Sequence, residues 1–390
     1  MKYPQTHPWL TFSVKDLERA EPKLWVVLGQ CQSKCEHISK VPLLPETREE
    51  LNKVYLVKGA LATTAIEGNS LSEKEVRKLL DGELRLPPSK EYLAQEVRNI
   101  IEASNEILQK VLKNESLKIT VLRVKELNTA VLKDLEMEAG VIPGRIRVHS
   151  VTVGRYRGAP PKDCEWLLEN LCRWLGEMDQ PPAGLETAYS ILKAIIAHLY
   201  LAWIHPFGDG NGRTARLVEF QILLDSGVPA PAAHLLSNHY NQTRAEYYRK
   251  LDQASRAGDR GDILPFIEYA AQGLLDGLGD QLVFIHEQQR NVMWENYVHS
   301  VFKDRTGPAR DRHRHLVLDL SRKSDQPYPI KDLPDISARV SRSYAKMSSI
   351  TMTRDLDTLS RSGLLEVTGT YVRIRKEIVL SMLPPKAVKP

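Results

Sequence analysis

With 390 residues, 42% hydrophobic and 26% charged, the chain has a globular composition and room for two or three domains. No run approaches the roughly 18 to 20 apolar residues of a membrane span, and the opening MKYPQTHPWLTFSV lacks a signal-peptide core, so a cytoplasmic protein with no membrane partner is expected. The net charge of +5 is uneven: from Arg290 onward 19 Lys+Arg stand against 11 Asp+Glu, while the remainder is slightly acidic, which marks the last quarter as a separate unit. Cys31, Cys35, Cys164 and Cys172 are too few for a disulfide framework and read as reduced thiols.

Residues 1 to about 50 are rich in proline and aromatic positions and read as an irregular arm with a short helix near Lys23 to Glu36. Leu51, Val54, Tyr55, Val57, Leu61 and Ile66 then predict a helix over about 47–68. Gly68 and Asn69 suit its carboxy-terminal cap, which puts Glu67 in the last turn, where the helix dipole disfavours a carboxylate. Two readings stand: a solvated glutamate, or one paired with a cation from elsewhere in the chain. Ser72 to Glu75 form a capping-box-like start for a second helix. After the break at Pro87-Pro88, Glu91 to Leu112 is a long amphipathic helix, and another runs from near Thr120 to about Leu135. With no alternating strand pattern, this region reads as all-α.

Between 140 and 161 the pattern changes. Arg145 to Val148 and Val151 to Val153 read as short β segments between glycines and prolines, most simply a hairpin projecting from a helical body. Cys164 to Glu177 is again amphipathic, and Leu185 to Trp203 is an apolar helix in which His198, one heptad before the helix end, reads as a packed core histidine.

That helix delivers Ile204-His205-Pro206-Phe207-Gly208-Asp209-Gly210-Asn211-Gly212-Arg213-Thr214-Ala215-Arg216. The expected form is helix, tight loop, helix. Backbone N–H groups at such a loop and at the following helix start make an anion site. Gly208, Gly210 and Gly212 permit close approach of a phosphate, and Asn211 tolerates left-handed dihedrals. Arg213 and Arg216, three apart, share a helix face and suit one polyanion. His205 is the candidate base and Asp209 the candidate metal ligand.

The stretch resembles the signature of the Fic family, His-Pro-Phe-x-(Asp/Glu)-Gly-Asn-Gly-Arg-x-x-Arg, with every defined position filled. The resemblance implies a helical Fic/Fido domain over about 116–280 and transfer of AMP from ATP, with Mg²⁺, to a Ser, Thr or Tyr hydroxyl of a protein, self-modification included. The loop from Gly208 through Thr214, Ala215 and Arg216 would then bind nucleotide. Thr63 with Glu67-Gly68 is similar to the family's inhibitory motif (Ser/Thr)-x-x-x-Glu-(Gly/Asn), which implies that Glu67 pairs with Arg216 and that residues 1–115 form an associated inhibitory region. The hairpin at about 142–160 would be the flap that pairs with an extended target segment. Arg244 to Tyr248 resembles the post-motif helix whose tyrosines border the nucleotide, which makes Tyr247 and Tyr248 candidates, one of them a core residue. The reverse reaction, removal of AMP through the same pocket, is an alternative, and a homodimer is left open.

Gly258 to Asp262 breaks the chain, Ile263 to Leu278 closes the helical domain, and a linker helix from about Leu282 leads to the basic unit at 281–390. There His313–Ser321, Lys331–Ile336 and Ile350–Ser362 read as helices, and Leu364–Val367 with Tyr371–Arg375 as a hairpin. The order resembles a winged helix-turn-helix domain. Duplex DNA binding through the third helix, with Arg373, Arg375 and Lys376 on phosphate, would make the chain a regulator with a nucleotide-sensing Fic domain. Asp355 and Asp357 weigh against that, and such folds also serve protein contacts.

Overall fold

The computed structural model describes residues 2–115, 117–154, 156–256 and 261–382, which divide into two units, Met1–Val283 and Phe284–Pro390. The expected break at Gly258 to Asp262 lies partly outside the described residues.

In the first unit the helices are α1 (Tyr3–Thr6), α2 (Pro22–Lys40), α3 (Pro45–Ala65), α4 (Glu73–Leu80), α5 (Glu91–Leu112), α6 (Val121–Val131), α7 (Cys164–Glu177), α8 (Glu186–Ile204), α9 (Asn211–Asp225), α10 (Ala230–Ala233), α11 (Leu235–Gln242) and α12 (Arg244–Arg256). Strands β1 (Thr152–Val153) and β2 (Tyr156–Arg157) form an antiparallel hairpin. Local chemistry sets the boundaries. Ser72 and Glu75 complete the capping box of α4, and the Thr120 hydroxyl accepts the Arg123 N–H to start α6.

The core pair is α8 against α9. From Ala194 to Leu201 every residue of α8 is buried, and so is every residue of α9 from Arg213 to Leu224. A helix that is apolar on all sides belongs in a core. The apolar runs fall short of a span in the sequence, yet α8 does reach the length and apolarity of one, and 72% of that window is buried inside this unit. Around the pair, α5 and α6 pack on α9, α7 and α2 on α8, and α3 on α5 and α11.

Arg145–Val148 is not a strand of the hairpin. Ile146 instead makes an isolated bridge to Phe207, and the Arg147 N–H donates to the Pro206 carbonyl, so this segment pairs with the loop between α8 and α9.

One continuous helix, α13 (Leu264–Val301), replaces the two expected between Ile263 and the linker; its residues from Phe284 belong to the second unit. That unit continues with α14 (Pro308–Lys323), β3 (Tyr328–Pro329), α15 (Ala338–Tyr344), α16 (Ser349–Arg361), β4 (Leu365–Thr368) and β5 (Tyr371–Ile374), the strands ordered β3-β5-β4. The helix expected at Lys331–Ile336 is a 3₁₀ segment, Ile330–Asp335, containing Pro334. The second α-helix follows it, capped by the Ser337 hydroxyl on the Val340 N–H. Asp355 is not a surface charge on α16. It is buried, bonded to Arg312 through both oxygens and paired with His313, and it accepts from the Tyr344 hydroxyl.

Candidate active site

The loop 205–210 is shaped by its ends. His205 caps α8 in the left-handed region at φ 51°, and Pro206, without an N–H, stops the helix. A non-glycine residue held there is strained, a cost that functional sites carry. Gly210, at φ 74°, makes the opposite turn into α9, whose first turn has no side-chain cap. Its N–H groups therefore form a site for negative charge. Asn211 is helical, not left-handed, and its amide is already used: Oδ1 accepts from the Phe207 N–H and Nδ2 donates to the Phe207 carbonyl, both at 2.9 Å. Asn211 therefore braces the loop.

Two residues that carried no sequence signal hold this loop from outside. Arg147, buried, donates to the carbonyls of His205, His149 and Ala159, which locks the hairpin base to the residue bearing the imidazole. Asn128, buried on α6, donates to the Asp209 carbonyl and to Thr214 Oγ1 and accepts from the Gly144 N–H. Both are single polar residues in otherwise amphipathic or loop segments, and spacing alone cannot tell such a brace from a solvated side chain. The amino-terminal arm adds His7, whose Nε2 lies 2.8 Å from the Arg157 carbonyl at the hairpin.

A cavity of about 800 Å³ opens over the loop, within the range of small-molecule sites. Glu67, His205, Asp209, Gly212, Arg213 and Tyr248 line it, with the hairpin along one side. Gly208, Gly210, Asn211 and Tyr247 also reach it. Thr214, Ala215 and Arg216 do not: all three are buried on α9, with Thr214 bonded to Asn128 and Arg216 reached from the cavity only through Glu67.

His205 is half-buried, and burial together with the nearby Arg147 cation holds its imidazole down to about 4, opposed only in part by the bond to the Ala202 carbonyl and by the carboxylates of Glu67 and Asp209. The ring is neutral at pH 7 and able to accept a proton. Arg216 is 1% exposed; its Nη2 bonds Glu67 Oε1 at 2.6 Å and the Thr63 carbonyl at 2.9 Å. The Thr63 contribution is thus its backbone, while its side chain is buried. Burial alone would raise the Glu67 carboxyl, but Arg216 foremost, with Arg213, brings it below the usual range. Glu67 lies just past the end of α3, in the turn closed by Gly68 at φ 103°. It also lies against the first turn of α9: a methyl group added to Gly212 would sit 2.2 Å from Glu67 Oε1. Three guanidinium nitrogens, Nε of Arg213 and Nε and Nη1 of Arg216, have no hydrogen-bond partner among the described residues.

The tyrosines divide as two neighbours on a helix must. Tyr247 is buried, stacked on Tyr240, with its hydroxyl 2.9 Å from His198 Nε2. Tyr248 is 39% exposed and donates to the Ile66 carbonyl. His198 is a core histidine, its Nδ1 3.4 Å from the buried Glu219 carboxylate.

Residues 118–223 match the Fic/DOC family. The chain is 33% identical over 210 residues to protein adenylyltransferase fic-1 of Caenorhabditis elegans, covering 54% of this chain and 38% of the relative. It is 32% identical over 212 residues to protein adenylyltransferase Fic of Nematostella vectensis, covering 54% and 45%. The chain thus spans less than half the length of these curated relatives. Among solved structures, a Fic family protein from Desulfovibrio desulfuricans covers 91% of this chain and 96% of its own with a TM-score of 0.56 at 19% identity, a likeness of fold. Fic-1 from C. elegans covers 67% and 72% with a TM-score of 0.51 at 26% identity. The helices that frame the loop from His205 to Arg216 thus lie in the stretch that matches the Fic/DOC family and share the helical fold of the solved Fic structures.

Proposed function

We propose that the protein transfers AMP from ATP to a hydroxyl of a protein substrate and that Glu67 holds this activity down. The observation that carries the reading is the 2.6 Å pair between Glu67 and the buried Arg216 at the edge of a cavity that also holds His205. The triphosphate would lie on the loop and on the uncapped first turn of α9, where backbone N–H groups and the two arginines meet negative charge. Partnerless donors on Arg213 and Arg216 fit a polyanion better than they fit a closed structural network. The hydroxyl oxygen attacks the α-phosphorus, its proton passes to His205, and the bond to the departing pyrophosphate breaks. As charge builds on the leaving oxygens, the arginines, already fixed in place, stabilise it without reorganisation. The hairpin along the cavity would align an extended target segment through its main chain.

Among the described residues no three His, Cys, Asp or Glu side chains gather to hold a metal. Asp209, with 51% of its side chain exposed at the cavity, fits Mg²⁺ of the kind that keeps waters and phosphate oxygens and takes one or two carboxylates. Asp209 would hold it, and it would neutralise phosphate charge.

The second unit has the element order of a winged helix-turn-helix, which supports that reading of 284–382. Its wing is a poor phosphate contact: Arg373 pairs with Glu366 and Glu377, Arg375 with Glu377, and Lys376 with Asp325. Exposed Arg342, Lys346 and Arg354, on and between α15 and α16, are better placed to meet an anionic partner.

Replacing His205 by Ala should lower transfer of label from α-labelled ATP by at least about a hundredfold. ATP affinity by calorimetry should stay within about threefold, since the ring serves the proton and not the phosphates. Transfer by His205→Ala at the wild-type rate would overturn the assignment.

A further inference from the structure

Arg213 is shared between two carboxylates of unequal strength. Its Nη1 bonds Glu96 Oε1 at 2.9 Å, while Nη2 reaches Asp209 Oδ1 and Oδ2 only at 3.2 and 3.4 Å. Glu96 is the better anchored of the two, with 17% of its side chain exposed against 51% for Asp209. It stands on the long helix α5, and its other oxygen accepts from Asn69 Nδ2 at 2.8 Å. Asn69 is itself buried, donating to the Leu93 carbonyl and accepting from the Leu71 N–H. The residue two places after Glu67 thus fixes Glu96, and Glu96 fixes Arg213.

A guanidinium facing a single carboxylate closes on it through two parallel short bonds. A divalent cation would have to displace that fork to use the same oxygens. With Nη1 held by Glu96, Arg213 meets Asp209 through Nη2 alone, and Nε, the other arm of that side of the guanidinium, is left without a partner among the described residues. The geometry points to Glu96 as a positioning residue that holds Arg213 off Asp209 and so keeps the Asp209 carboxylate open to a divalent cation arriving with a nucleoside triphosphate. This rests on the reading of the cavity as an ATP site with Asp209 as its metal carboxylate. Asp209 stays half-exposed: its Oδ1 accepts from the Gly210 N–H, and its contacts to Arg213 are long because the guanidinium is held by Glu96.

The test is calorimetric titration of ATP into the full-length chain carrying Glu67→Gly, with and without Glu96→Gln, across a Mg²⁺ series and in EDTA. Weakening one charge-assisted bond to Arg213 should raise the Mg²⁺ concentration that gives half the metal-dependent gain in affinity by about five- to tenfold. Affinity in EDTA should change by less than about twofold, because the phosphates still meet Arg213. In an Asp209→Ala background Glu96→Gln should leave the Mg²⁺ dependence where it was, since the two act through one another. An unchanged Mg²⁺ requirement, or equal losses with and without the metal, would overturn the inference and reduce Glu96 to a support of the fold. If Glu67→Gly alone binds no ATP, the proposed function falls instead, and this inference with it. Should the Gln variant fail to fold, Glu96→Asp, which keeps the charge on a shorter arm, should give a shift of about two- to threefold; no shift there overturns the inference equally.

Discussion

At the scale of single residues, the site is governed by who claims each guanidinium. Arg216 is buried and charged, so it requires an anionic partner wherever it stands. Glu67 and the Thr63 carbonyl satisfy it in part. The cost of removing Glu67 falls between that of a buried and an exposed pair, because 33% of the Glu67 side chain is exposed while Arg216 is covered. Glu67→Gln should therefore destabilise the first unit by about 1–2 kcal/mol at pH 7. The sign of its pH dependence follows from the lowered carboxyl. A depressed acid stabilises above its unfolded value, about 4.3 for Glu, and that contribution is lost as pH falls through the folded value. Chemical denaturation at pH 7 and at pH 3 should show the gap between wild type and Glu67→Gln shrinking in acid. A gap of constant size would mean that the pair carries no charge-dependent stability.

At the scale of elements, the sequence was most legible where periodicity and caps agree. The helices at Glu91–Leu112 and Cys164–Glu177 and the capping box of α4 follow from apolar spacing and capping residues alone. The loop was legible because several glycines, a histidine and paired arginines rarely coincide. Its bracing was not legible: Arg147, Asn128 and Glu96 act across 58, 81 and 117 residues of sequence on His205, Asp209 and Arg213, and no local pattern encodes such contacts. The small α15 escaped notice because Pro334 and a serine-rich surround mask a helix of seven residues. Arg147 offers the sharpest test at this scale. Arg147→Met leaves three carbonyls without their buried donor and should cost about 2–3 kcal/mol. Amide exchange over 150–158 should quicken and transfer should fall, since the hairpin base and His205 share this anchor. Unchanged exchange in the hairpin would show that β1 and β2 are held by other contacts.

At the scale of the whole molecule, a segment that precedes the Fic/DOC match at residues 118–223 supplies the carboxylate placed at its arginine. Packing of α3 on α5, α9 and α11 carries Glu67 to the first turn of α9 and onto Arg216, for which, on the proposed reading, the γ-phosphate of a triphosphate would compete. On the proposed reading, the stability that Glu67 adds opposes the activity it would hold down, so relief of inhibition should cost folding free energy that bound nucleotide restores. The most direct measurement compares label incorporation from α-labelled ATP by full-length wild type, Glu67→Gly and Glu67→Gly with His205→Ala, self-modification included. Removing a competing charge from the phosphate site should raise incorporation in Glu67→Gly by about tenfold or more, and His205→Ala should return it to background. Incorporation by Glu67→Gly no higher than wild type would contradict the claim that Glu67 holds the site shut.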